Sequence, residues 1–290
     1  MTGVTRPTEV AELGAATVEY RHESRGEDAA LIFPGGHMHA GFAVGEESFA
    51  GLGYSVLAVT RPGYGRTTSA PPSADSPTAE VERFCDAVHS LCEQLRVRRV
   101  VAVGISAGGP TALAMAQRHP RLVQKLILQS SVGPAPWPDA RTRAVARLTL
   151  GPGGERLTWG FMRAMMKTSR QAGLVSLVGQ LSTLPGKQAV TALTQQNRED
   201  LAAAASQLRS GRGFLRDLDL LRSPRAWRPQ QDALVIHSRR DGSVPFSHAE
   251  ELAAMLPQAT LMETSAEHHL IWFASDWPRV ASRIRAFLAP

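Results

Sequence analysis

Hydrophobic positions along the first 133 residues follow two periods in turn. Residues 18–22 alternate apolar and polar and read as a strand. Segments 29–33 (AALIF), 54–60 (YSVLAVT), 99–103 (RVVAV) and 123–128 (VQKLIL) are near-continuous apolar runs. Between them, Val81, Phe84, Cys85, Val88, Leu91, Cys92 and Leu95 recur at helical spacing over 79–95, and 107–118 also reads as a helix. Apolar runs separated by helices predict strands buried on both faces of a parallel sheet.

The pattern breaks at VGPAPWP, residues 132–138. From there to about residue 229 no strand pattern occurs. Helices are predicted over 139–149, 155–170, 173–182, 187–208 and 213–221, divided by GPGG, Gly173, LPGK and GRG. Strands at 233–237 and 260–264 and helices at 246–256 and 277–288 then resume the alternation. The expectation is an α/β fold: a mostly parallel, doubly wound sheet from 1–133 and 229–290, interrupted by an all-helical insertion at 134–228. That insertion exceeds the ~12–15 residues a structureless loop reaches inside a compact domain.

Composition narrows the function. With 43% apolar and 20% charged residues among 290, the chain can build a core. No apolar run approaches the ~18–20 residues of a membrane helix. The N-terminus lacks a secretory pattern, so a cytoplasmic protein without membrane contact is expected. Cys85 and Cys92 lie seven apart on one predicted helix, too far along its axis to bond to each other. The net charge of +6 is uneven: 134–228 holds 15 Lys+Arg against 6 Asp+Glu, and the rest holds 17 against 20. The arginines are scattered, and no zinc-finger, RNA-recognition or basic-zipper pattern occurs, so a small-molecule partner is expected rather than nucleic acid. There is no H-E-x-x-H, no zinc-spaced cysteine pair and no G-x-G-x-x-G, so neither metal nor cofactor is expected. Nothing in the sequence speaks to the oligomeric state.

GISAGG at 104–109 follows a predicted strand and opens a predicted helix. It fits G-x-S-x-G, in which glycines permit a sharp turn and raise the serine hydroxyl above the sheet edge. Short patterns of this kind arise by chance, and it is the strand before and the helix after that give this one meaning. With Ser106 there, an acid after a late strand and a histidine after the last strand, the chain resembles the α/β-hydrolase family over nearly its whole length, in the family's capped form.

The resemblance implies a serine hydrolase acting through an acyl-enzyme. Ser106 would be the nucleophile. HSRRDGSVP at 237–245 resembles the family's acid loop and makes Asp241 the acid. In ETSAEHHL, His269 falls at the family's base position and His268 where a small residue is common, with His268 the alternative base. The oxyanion donors would be the backbone N–H groups of Ala107 and of Gly36. The latter lies in FPGGH, where Pro34 replaces the family's usual His. RPGYGRT at 61–67 resembles a family turn and reads as structural, with Thr60 where Asp is common. His37 and His39 are candidates to line the pocket, and so is His268. Trp159, Met162, Met165 and Met166 share a helical face that could line an acyl pocket or pack the insertion onto itself. The activity implied is a carboxylesterase on small or medium esters. The alternatives on the same fold are C–C bond hydrolase, lactonase, aminopeptidase and perhydrolase, or a hydrolase-like protein that binds a ligand without turning it over.

Overall fold

Side chains on the apolar runs fill two cores, one on each face of a single sheet. In β3 (Asp28–Phe33), Ala29, Leu31 and Phe33 enter one core, while Ala30 and Ile32 enter the other. Such double burial explains why these strands read as continuous runs rather than as alternation. The computed structural model describes residues 4–68, 76–151, 153–223 and 225–289. Of the predicted dividers, GPGG includes Pro152, which lies outside the described residues.

The other strands are β1 (Glu9–Leu13), β2 (Ala16–Glu23), β4 (Ser55–Val59), β5 (Arg99–Ile105), β6 (Val123–Gln129), β7 (Asp232–Ser238) and β8 (Ala259–Thr264). Their order in the sheet is β1-β2-β4-β3-β5-β6-β7-β8. Pairing is parallel from β4 through β3, β5, β6 and β7 to β8, and antiparallel where β2 meets β4 and β1. The sheet is therefore mostly parallel, as expected. β1 was not expected: Glu9 and Glu12 interrupt its apolar pattern, as suits an edge strand facing water.

Helices α2 (Pro77–Gln94), α3 (Gly109–Arg118) and α10 (Ser247–Met255) pack on one face. The short α1 (Glu47–Ala50) and α11 (Trp277–Leu288) pack on the other. Helix α2 starts at Ser76, whose hydroxyl accepts from the Ala79 N–H, with Pro77 in the first turn. Cys85 and Cys92 are buried and unbonded, and burial pushes the Cys92 thiol up to about 12.

Between β6 and β7 come α4 (Ala140–Leu150), α5 (Gly154–Thr168), α6 (Arg170–Gln180), α7 (Gly186–Thr191), α8 (Gln195–Gln207) and α9 (Gly213–Arg222). The single helix expected over 187–208 is two. It breaks before Thr194, whose hydroxyl accepts from the Asn197 N–H and starts α8 afresh. Met162 and Met166 are buried in a core shared by α5, α6 and α8, together with Leu174 and Leu177. No helix among the described residues is long and apolar enough to cross a membrane.

Candidate active site

Three loops at the carboxyl ends of β5, β7 and β8 bring the chemistry-bearing residues together. The first is the turn after β5. Ser106 adopts φ +50°, a left-handed conformation that a non-glycine residue rarely takes without a local reason. The turn is tight because its neighbours lack side chains. A Cβ on Gly104 would stand 2.6 Å from the Gly109 Cα, and one on Gly108 would collide with the Phe33 carbonyl oxygen. The Val132 N–H donates to the Ser106 carbonyl at 3.1 Å and ties the turn to the end of β6.

After β7, the loop folds round a single carboxylate. Asp241 Oδ1 accepts from the Ser243 and Val244 N–H groups, both at 2.8 Å. Its Oδ2 accepts from His269 Nδ1 at 2.6 Å and lies 3.2 Å from His237 Nε2. His237 Nε2 is also 2.8 Å from the Val244 carbonyl, which can only accept, so the His237 proton sits on Nε2. Burial alone would raise the Asp241 pKa. The neighbouring His269 and His237 outweigh it and hold the carboxyl far below the usual range. Asp241 is thus a fixed anion, and the His269 ring offers it Nδ1–H, which leaves Nε2 as the basic nitrogen.

Backbone contacts aim His269. Its N–H donates to the Leu181 carbonyl at 2.8 Å, and its carbonyl accepts from the Ser130 hydroxyl at 2.8 Å. Leu181 belongs to the inserted segment. The same carbonyl accepts from the Gly242 N–H at 3.2 Å, the Thr183 N–H donates to the Arg240 carbonyl at 3.0 Å, and the Ser182 hydroxyl donates to the Glu267 carbonyl. Residues 181–183 therefore lie between the acid loop and the histidine loop and bond to both. Sequence reading missed this because main-chain acceptors leave no residue signature.

Ser106, Ala107, Gly36 and His269 line one cavity of about 590 Å³. Its walls are aromatic and aliphatic, from Phe42, Trp272 and Phe273 of the sheet region and Trp137, Trp159 and Phe214 of the insertion. His37 also lines it. Five expected pocket residues do not. Met162 and Met166 turn into the helix–helix core, and Met165, half-buried on the same helix, does not reach the cavity wall. His268 is fully buried away from the cavity: its Nδ1 accepts from the Leu270 N–H at 3.2 Å, and its Nε2 has no partner. Burial and the adjacent His269 push the His268 pKa down to about 4. His39 stands outside as well, accepting from the Gly41 N–H at 3.1 Å. His248, unmarked in the sequence reading, does line the cavity and accepts from the Gly133 N–H at 3.2 Å through Nδ1.

The RPGYGRT turn is where the insertion docks. Arg61 Nε donates to the Pro34 carbonyl at 2.8 Å, and both terminal nitrogens of its guanidinium meet the Asp217 carboxylate of α9. The Tyr64 hydroxyl donates to the same carboxylate at 2.6 Å. Burial and then Asp217 push the Tyr64 pKa well up, so the phenol stays protonated and donating. Thr60, in place of the more common Asp, takes the Ala40 N–H at 2.8 Å and faces Glu19. No group of three or more His, Cys, Asp or Glu among the described residues is placed to hold a metal ion.

A serine hydroxyl on a strained turn, a backbone N–H at a helix start and an imidazole on a fixed carboxylate, all reached from one apolar cavity, can carry out acyl transfer. Comparison with known proteins bears on the fold. A family model described as alpha/beta hydrolase fold matches residues 31–275. The chain is 27% identical to an uncharacterized hydrolase, YcgS, of Bacillus subtilis (strain 168), over 98% of this chain and 99% of that one. Among solved structures it is similar to an alpha/beta hydrolase fold protein from Nakamurella multipartita, with TM-score 0.71, 19% identity, and 97% and 99% of the two chains covered. It is also similar to a thermophilic esterase from Thermogutta terrifontis, with TM-score 0.67, 17% identity and 98% of each chain covered. At these identities the two structures speak for the fold alone.

Proposed function

The chain belongs to the α/β-hydrolase fold family, and we propose that it is a serine carboxylesterase in which Ser106, His269 and Asp241 act as a triad. The observation that carries this reading is the 2.6 Å contact between His269 Nδ1 and Asp241 Oδ2, at the cavity that Ser106 also lines. Ser106 Oγ attacks the acyl carbonyl carbon and passes its proton to His269 Nε2. The Asp241 anion holds Nδ1–H and stabilises the imidazolium that forms. The Gly36 and Ala107 N–H groups receive the oxyanion. His269 returns the proton to the departing alcohol, leaving an acyl-enzyme. Water then attacks that carbonyl, gives its proton to Nε2, and the acid departs as Ser106 recovers its own.

In this reading residues 134–228 form a cap over a core made of 1–133 and 229–290. In the same reading His268 is not the base: its Nδ1 accepts from the Leu270 N–H, and the residue does not line the cavity. The test is labelling with a fluorophosphonate, followed by peptide mass spectrometry and hydrolysis of 4-nitrophenyl esters. Labelling is expected at Ser106. Ser106→Ala should lose label and turnover while keeping its melting temperature, a loss of roughly 10⁴-fold or more by analogy with other serine triads. A folded protein that neither labels nor turns over any ester would sink the proposal.

A further inference from the structure

One polar device in the cavity wall is unused by this chemistry. Ser210 is fully buried, so its hydroxyl proton needs an acceptor. Its Oγ accepts from the Trp159 indole N–H at 2.8 Å and lies 2.8 Å from His37 Nδ1. An indole N–H only donates, so the Ser210 proton goes to His37 Nδ1 and the His37 proton sits on Nε2. That Nε2 has no hydrogen-bond partner among the described residues and is not sealed off, and the ring lines the cavity. Phe214 and Trp159 hold the ring, with centroids at 4.3 and 5.1 Å. Burial, helped by Arg61, pushes the His37 pKa down to about 3, so the ring is a neutral donor.

The same wall is poor in formal charge. Among the described residues lining the cavity there is no Lys or Arg, although the inserted segment carries 15 of them. The carboxylate in the lining belongs to Asp139. It already caps α4 by accepting from the Arg141 and Thr142 N–H groups and the Thr142 hydroxyl. A substrate carboxylate or ammonium taken in here would meet no uncommitted opposite charge, and one neutral N–H does not offset the desolvation cost of an ion.

We infer that the cavity selects an uncharged ester, apolar along its chains, that carries one oxygen beyond the reacting carbonyl to accept from His37 Nε2–H. The inference rests on the serine-esterase reading for turnover but not for binding, and the two can be tested apart. The probes are pentyl pentanoate, its analogues with single chain methylenes replaced by oxygen, and the anion of monopentyl glutarate. Binding is measured by calorimetry to Ser106→Ala. One oxa analogue should bind about threefold to tenfold tighter than the parent, the worth of one neutral hydrogen bond. The anion should bind roughly 100-fold weaker. Adding His37→Phe should drop that analogue to or below the parent ester. Ser210→Ala, which frees the tautomer without touching the ring, should erode the same preference and serves if His37→Phe misfolds. In the wild-type chain the preference should appear in KM rather than kcat. An anion bound within tenfold of the parent, or an oxygen preference that survives both variants, overturns the inference. If Ser106→Ala binds as expected but the wild type hydrolyses none of the esters, the esterase reading fails and this one stands.

Discussion

The helices inserted between β6 and β7 are attached to the rest of the molecule unevenly. Their first part, α4 and α5, carries the most exposed large apolar side chains of the described residues: Leu148 at 81%, Leu157 at 77% and Phe161 at 68%. Helix α4 has no buried residue at all. The second part is bonded into the frame of the site. Residues 181–183 join the Asp241 loop to the His269 loop, and Asp217 of α9 is gripped by Arg61 and Tyr64. The difference teaches that an insertion whose helices share a core can still be fastened to the frame through one part of it. Its first part bears on the cavity through Trp159, while its second part holds the reacting groups in register.

The strongest way to break this comparison is to remove the carboxylate on which the second part turns. Asp217→Ala leaves the Arg61 guanidinium, 3% exposed, with no counter-charge, only the Pro34 carbonyl and the Tyr64 ring face beside it. Stranding a buried charge costs about 3–5 kcal/mol. The urea midpoint should fall accordingly, and turnover with it, because Pro34 is two residues from Gly36. An unchanged midpoint would mean that α9 is not an anchor.

Acid should loosen the same frame. The His268 pKa is pushed down to about 4, below the ordinary value of 6.5, so the native state keeps the ring neutral. The unfolded chain takes up that proton as pH drops through about 6.5. The contribution is therefore full above that value and is lost progressively on acidification, reaching about 3 kcal/mol at pH 4. His268→Asn should flatten the stability–pH curve between pH 6.5 and 4. An equally steep curve in the variant would mean that His268 is not what titrates.

What was legible in the sequence follows the same division. The central strands were readable because burial on both faces writes itself as unbroken Val, Ile and Leu. The edge strand β1 was not, because Glu9 and Glu12 face water. The Ser106 turn was readable because its glycines are sterically required, as Gly104 and Gly108 show. The His268–His269 doublet was ambiguous. Adjacent side chains point different ways, and only the loop path decides that the second meets Asp241. The methionine face of α5 was ambiguous too, since helical spacing reports that a face is buried and not what buries it. Least legible was the strap at 181–183, built from main-chain carbonyls and N–H groups that any sequence possesses.

That strap can be displaced by a side chain. A Cβ on Gly242 would stand 2.5–2.7 Å from the Ser182 backbone, which cannot swing aside as a flexible side chain would. Gly242→Val should push residues 181–183 away from both loops. A misplacement of about 1 Å at a reacting group costs on the order of 10²-fold, and it should fall on kcat more than on KM. A matched substitution in the first part, Leu157→Ser, should leave kcat within twofold (about 0.4 kcal/mol). If the two variants behave alike, the insertion is not fastened through one part alone.

The smallest expected effect sharpens the contrast from within one helix. Asp219 lies two residues from Asp217 on α9 and also pairs with an arginine, Arg147 of α4. The two pairs differ in solvent. The Arg61 and Asp217 side chains are 4% and 6% exposed, against 45% and 44% for Arg147 and Asp219. Water screens the outer pair, and two long side chains lose freedom in making it, so its net worth is about 0–1 kcal/mol. Arg147→Ala should therefore shift the urea midpoint by no more than about a third of the Asp217→Ala shift, and should leave ester hydrolysis unchanged. A loss comparable to that of Asp217→Ala would mean that the first part of the insertion is anchored through α4 to α9, and that the two parts move as one.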